Sequence, residues 1–276
     1  MGINILLALS VYAILTTDQL SLGNAGFMAI GAYTSAYLTV KFGVALLSAL
    51  IIGALTASLI GLLIGIPALR LKGIYLVMAT LGFGEMVRTF FLNFEPTGGA
   101  SGFRGPMGSS LLLIYGWVIV FVAFFWLLAR SRLGRSLDAV RDDPEVASTL
   151  GLDVVRLKVW AFWLGAFIAG IAGGLYAHHM FYIESSNFNF LLSTMIVLYV
   201  ILGGMETFWG AMVGAIIFSI LPEVLRFMKD WRLSFYGAVL VTVMIIRPAG
   251  IITREMVRDF GEWLGRIFHR ARTWDA

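Results

Sequence analysis

Long apolar runs separated by short polar joints set the pattern of this chain. Read between charged residues, the runs lie at 1–17, 19–40, 42–69, 73–94, 109–129, 159–180, 190–202, 209–225 and 233–246. Most match the about 20 residues that an α-helix needs to cross a bilayer. The pattern therefore predicts an all-α fold, a polytopic transmembrane helix bundle of about eight or nine spans. Within it, 42–69 is the cleanest run, and 73–94 carries Glu85 and Arg88 inside otherwise apolar sequence. The run 19–40 is interrupted by Gly23, Gly26 and Gly31 and reads as a broken or re-entrant helix.

One long polar island, 130–158, stands between hydrophobic runs. Its centre spells a short helix. Asp143 suits the N-cap, Pro144 the first helical position, where a missing N–H costs nothing, and Gly151 the C-terminal stop. Asp153 then suits the cap of a second helix that continues into the membrane. A brief capped helix presented between two spans has the form of a docking element.

Composition agrees with a membrane protein: 59% of residues are hydrophobic and 13% charged, against about 25% charged in soluble domains. The net charge of +4 sits at span ends, as basic cytoplasmic loops require, and does not point to nucleic acid. Arg130, Arg132, Arg135, Arg141, Arg156 and Lys158 mark one side, joined by Arg70 and Lys72 and by Arg247, Arg254 and Arg258. That side is expected to be cytoplasmic. The loop 95–108, the connector 182–189 and the turn 229–232 then fall outside, although Lys229 and Arg232 fit the rule poorly. An odd number of spans leaves the N-terminus outside, so a preceding helix, or a hairpin formed by the first two segments, is expected. Residues 1–252 are expected to form the transmembrane domain, and 253–276 an amphipathic helix on the inner leaflet, with Met256, Phe260, Trp263, Leu264 and Ile267 near one face.

Small residues recur every four positions at Gly53, Ala57, Gly61 and Gly65 and at Gly165, Ala169, Gly173 and Ala177. Such stripes let helix backbones approach closely, and packing within one bundle is favoured over a pore lining.

Catalytic chemistry is sparse. There is no cysteine, which excludes thiol catalysis and disulfides. No lysine follows a glycine, so a Gly-Lys-Ser/Thr phosphate loop cannot be built, and any ATP must be hydrolysed by another chain. His178, His179 and Glu184 lack the HExxH spacing, and no Gly-x-Ser-x-Gly elbow occurs. An enzyme is disfavoured. Glu85 and Arg88, three apart on a helix, can pair. An ionisable residue within a span is a functional candidate by default, and the alternative is that both orient the span at the outer interface. Gly-interrupted segments at 20–33 and 202–215 match the broken helices that line transport paths, which adds Asn24, Gly26, Gly203 and Gly204 as candidate pathway residues.

Glu145-Val146-Ala147-Ser148-Thr149-Leu150-Gly151 resembles the EAA-xxx-G signature of ABC importer permeases, with Val146 in place of the central alanine. Around it, the stretches from Gln19 to Phe27 and from Pro67 to Tyr75, then Phe83-Gly84-Glu85, Thr97-Gly98-Gly99, Gly134-Arg135, Leu202-Gly203-Gly204, Trp209-Gly210 and Arg247-Pro248-Ala249-Gly250-Ile251, occur in the order of the LivM-type permeases. These are membrane subunits of branched-chain amino acid importers. Asn24 stands where many relatives have histidine, and the tail after Ile252 is longer than usual.

The resemblance implies an ATP-driven permease that works by alternating access in the bacterial inner membrane. Its partners would be a homologous second permease, two cytoplasmic ATP-binding subunits that carry the ATP and Mg, and an extracytoplasmic solute-binding protein. The loop 130–158 would present a coupling helix to the ATPase. Val146 and Leu150 would be its apolar anchors, Arg141 and Glu145 its polar rim, Asp143, Pro144 and Gly151 its bounds, with Ala147 within it. Importers of urea or amides share this architecture. An ion-coupled secondary transporter is the rival from another class, with Glu85 as the one clear relay candidate, and a passive channel is a third.

Overall fold

The apolar runs fold as α-helices, which satisfy their own backbone hydrogen bonds as lipid requires. The computed structural model describes residues 1–68, 71, 73–104, 108–224, 237–238, 241–243, 245–247, 250–253 and 256. In chain order the helices are α1 (Gly2–Leu15), α2 (Asn24–Phe42), α3 (Leu46–Ala68), α4 (Ile74–Asn93), α5 (Leu111–Arg130), α6 (Arg132–Asp142), α7 (Pro144–Thr149), α8 (Val154–Met180), α9 (Phe190–Gly203) and α10 (Phe208–Val224). The chain forms two compact units by its contacts, Met1–Leu198 and Tyr199–Ala276.

In the first unit α8 is the hub, packed against α1, α2 and α3. The small-residue stripes explain how. A side chain at Gly61 would come within 2.7 Å of the Ala166 Cβ, one at Gly65 within 2.9 Å of Phe162, and one at Gly170 within 2.8 Å of the Ala54 backbone. A Cβ on Gly31 would overlap the Gly170 backbone, and one on Gly173 would overlap the Met28 carbonyl. Both stripes are therefore spent on close helix packing inside this chain.

The expected break in 19–40 is real but displaced. α2 runs unbroken through Gly26 and Gly31, and the chain instead leaves helical geometry between Leu15 and Asn24. Gly23, which starts α2, has no side-chain cap. The cap is replaced by distant groups: the Leu22 N–H donates to Thr80 Oγ1 at 3.0 Å and the Ala25 N–H to Ser193 Oγ at 3.1 Å.

The expected count of eight or nine spans is not confirmed. Among the described residues four helices are long and apolar enough to cross a membrane: α3, α4, α5 and α8. α9 and α10, expected as two spans, are bent by 119° at a short break and together make up to one more. α1 is a shorter apolar helix of 14 residues. Most of 233–246, the 229–232 turn, Arg70, Lys72, Arg254, Arg258 and most of the tail lie outside the described residues.

Two further differences concern the joints. The connector 182–189 does not merely loop over the surface. Tyr182–Ile183 (β2) pairs antiparallel with Phe103–Arg104 (β1), with Phe103 opposite Ile183, and Ser185–Phe188 forms a 3-10 turn packed on α2 and α4. Phe188 is fully buried beside Tyr33 and Tyr176. The polar island also holds an additional helix, α6. Ser131 caps it by accepting the Gly134 N–H at 3.0 Å. Leu137 and Val140 face inward, and Gly134 is needed because a Cβ there would overlap the Leu128 carbonyl.

Candidate functional site

The capped helix α7 is built by local chemistry at both ends. One carboxylate oxygen of Asp143 accepts the Glu145 N–H at 2.8 Å and the Val146 N–H at 3.1 Å. Pro144 occupies the first turn. At the other end the Gly151 N–H donates to the Ser148 carbonyl at 3.0 Å and the Leu152 N–H to the Ala147 carbonyl at 3.2 Å. That paired closure is a Schellman motif, which needs a left-handed residue, and Gly151 supplies it at φ +81°. Asp153 then caps α8 through the Arg156 N–H at 3.0 Å and pairs with the Arg156 side chain at 2.8 Å.

These caps fix which residues the helix shows. Ala147 is 1% exposed where α7 packs on α6 and α8, whereas Val146 is 54% and Leu150 72% exposed. Val146 thus faces away from the bundle. Glu145 is exposed beside it, and Arg141 is half-buried in the last turn of α6. Val155 at the start of α8 and Leu133 in α6 are also exposed and apolar, at 67% and 37%. Sequence reasoning did not single these out. Their signal was an apolar residue two positions after a cap, Asp153 for Val155 and Ser131 for Leu133.

The intramembrane candidates fall into separate places. Asn24 is fully buried, and its Nδ2 donates to Ser10 Oγ at 3.0 Å. Its Oδ1 has no partner among the described residues. Gly26 lies against α4, where a Cβ would come within 3.1 Å of the Gly84 Cα. With Ser21, Thr80 and Ser193, also buried, they form a polar seam where α1, α2, α4 and α9 meet. Thr80 and Ser193 were missed because their partners lie 58 and 168 residues away.

Glu85 and Arg88 do pair, Nε to Oε2 at 2.7 Å, with each side chain about a third exposed. The second carboxylate oxygen of Glu85 accepts the Phe190 N–H at 3.3 Å, so the same residue also caps α9. Asn189 accepts the Leu192 N–H at 3.0 Å and completes that cap.

In the second unit, Gly203 and Gly204 make the turn between α9 and α10. Gly204 has φ +124°, and a Cβ on Gly203 would come within 2.8 Å of the Gly214 backbone. The Ile251 and Ile252 N–H groups donate to the Leu202 and Gly203 carbonyls, each at 2.9 Å. The two glycines are thus explained by close backbone packing.

His178 is a satisfied core residue, with Nδ1 2.7 Å from the Gly174 carbonyl and Nε2 3.2 Å from Thr39 Oγ1. Among the described residues no group of three His, Cys, Asp or Glu side chains is placed to hold a metal.

The profile of the family described as branched-chain amino acid transport system / permease component matches residues 1–247. The chain belongs to that family. It is 32% identical over 288 residues to the high-affinity branched-chain amino acid transport system permease protein LivM of Escherichia coli, covering 91% of this chain and 66% of that one. It therefore spans just under two thirds of that relative's length. It is 29% identical over 147 residues to the LivH permease protein of the same organism, covering 51% of this chain and 47% of LivH. To the autoinducer 2 import system permease protein LsrC of Yersinia pestis it is 26% identical over 257 residues, covering 87% and 73%. No solved structure matches the chain.

Proposed function

We propose that the chain is the membrane permease subunit of an ATP-driven importer that moves branched-chain amino acids by alternating access. Its partners are a homologous second permease, two cytoplasmic ATP-binding subunits that hold ATP and Mg, and an extracytoplasmic solute-binding protein. The observation that carries this reading is the exposure of Val146 and Leu150 on a capped helix whose opposite face, at Ala147, is packed on α6 and α8. Two apolar side chains four apart on a short helix form a helix-in-groove anchor. The absence of a phosphate loop in the sequence agrees with an ATPase supplied by another chain.

In this mechanism the ATPase pair closes on ATP and moves α7. α6 and α8, packed on it, deliver the motion, and α8 carries it to α1, α2 and α3. The substrate class rests on the LivM and LivH resemblance, since LsrC belongs to an import system named for another solute.

Co-purification tests the reading. The proposed ATP-binding subunit is expected to co-purify with the chain, and Val146→Asp or Leu150→Asp to abolish the association while the permease stays in the membrane. Association that survives both substitutions contradicts the coupling role of α7. Solute uptake that persists in vesicles lacking every ATPase contradicts the importer reading itself.

A further inference from the structure

The exposed face of α4 has a composition that lipid does not explain. Along one stripe it presents Tyr75, Met78, Gly82, Met86, Thr89 and Asn93, with Glu85 and Arg88 beside them. Glu85 is the twelfth of the 20 residues of α4, near the helix middle rather than at an end. Gly82 has no packing reason among the described residues, because a Cβ there would meet nothing within 4 Å. A glycine and an ion pair on an exposed helix face leave room and charge for something outside this chain. The same face is open and shallow, formed by α4 alone. It is made of Gly82, Glu85, Met86, Thr89, Phe90 and Asn93, with Phe94 at its end.

The charges say what fits. Arg88 bonds Glu85 through Nε, and its two terminal amino groups make no hydrogen bond among the described residues. They remain as donors for a carboxylate. Glu85 accepts from Arg88 and from the α9 N-terminus, and a carboxylate has further lone pairs for an ammonium. The pair is neutral in sum, with its two signs in contact. An α-amino acid is likewise neutral, with its ammonium and carboxylate one carbon apart. A lone anion or cation entering here would leave one member of the pair uncompensated. Met86, Phe90 and Phe94 offer an apolar wall for an uncharged side chain.

We propose that this open face of α4 is a transit site for a zwitterionic α-amino acid, its carboxylate on Arg88, its ammonium on Glu85 and its aliphatic side chain against Met86, Phe90 and Phe94. This deepens the importer reading and rests on it.

The absence of cysteine from the chain makes the test direct. Thr89→Cys on this face of α4 and Ile119→Cys on the exposed apolar face of α5 are made singly in the full importer, in membrane vesicles. A membrane-impermeant cationic methanethiosulfonate is applied, and labelling of this chain is read by mass spectrometry. A thiol reacts as its thiolate, which needs water, so the Thr89→Cys variant is expected to react at least about tenfold faster than the Ile119→Cys variant. L-Leucine is expected to slow the Thr89→Cys reaction several-fold, and leucinamide, which lacks the carboxylate, to leave it unchanged. Adding Glu85→Gln or Arg88→Gln is expected to remove the leucine protection. The primary comparison needs neither charge variant, so a folding failure in one does not blunt it. Equal slow labelling at both positions, indifference to leucine, or equal protection by leucinamide overturns the site. Any of these with ATPase co-purification intact leaves the importer reading standing, whereas loss of co-purification from the unsubstituted chain strikes that reading and not the labelling result.

Discussion

Ala147 and Val146 are neighbours in sequence and opposites in environment, one sealed against α6 and α8 and the other over half exposed. The difference gives each a distinct signature on mutation. Ala147→Leu forces bulk into a filled contact and is expected to lower stability by about 1–3 kcal/mol, read as a drop in the thermal unfolding midpoint of the purified permease. Val146→Asp is expected to leave that midpoint near its starting value and, on the proposed coupling role, to show its effect only when an ATP-binding subunit is added. Asp143→Ala removes two capping hydrogen bonds at once and is expected to cost about 1 kcal/mol locally. Its readout is faster amide exchange confined to residues 144–150, together with weaker ATPase association. If exchange there is unchanged, the caps are not what holds Val146 outward.

At the scale of elements, what is legible in a sequence depends on where the determining partner lies. α7 is readable to within a residue because Asp143, Pro144 and Gly151 act on backbone groups beside them. The start of α2 is not, because its capping acceptors come from Thr80 and Ser193 on other helices. A glycine count placed the break at Gly23, Gly26 and Gly31. The last two instead permit helices to touch, which local sequence cannot distinguish from a kink. α6 escaped notice because its apolar face is narrow and its charges dominate. The pairing of β1 with β2 joins residues about eighty positions apart, beyond any local pattern. Within the candidate site, Glu85 and Arg88 were visible as a pair, but the capping of α9 by Glu85 was not. The close-contact glycines carry their own prediction. Gly31→Ala drives a methyl group into the Gly170 backbone and Gly173→Ala one into the Met28 carbonyl. Both are expected to reduce the folded yield sharply, whereas Gly116→Ala, with nothing within 4 Å, leaves it unchanged. Detergent-solubilised monodispersity checks all three.

For the molecule as a whole, an unbroken chain of packing runs from an exposed helix to the helix at the centre of the first unit. α7 rests on α6 and α8, and α8 touches α1, α2 and α3 along stripes too tight to slip without moving the partner. Such contacts switch between discrete arrangements and do not deform smoothly, which is what conversion of ATPase closure into a transport step requires. The measurement that bears most directly on this account is uptake of labelled L-leucine into proteoliposomes. They would contain the chain with the proposed second permease and proposed ATP-binding subunits, with ATP inside a sealed lumen and the proposed binding protein, loaded, outside. The account predicts accumulation against a gradient that needs hydrolysable ATP, collapses with Val146→Asp or Leu150→Asp in α7, and is indifferent to an imposed proton or sodium gradient. Accumulation driven by an ion gradient without ATP, or undiminished by both substitutions, would contradict it.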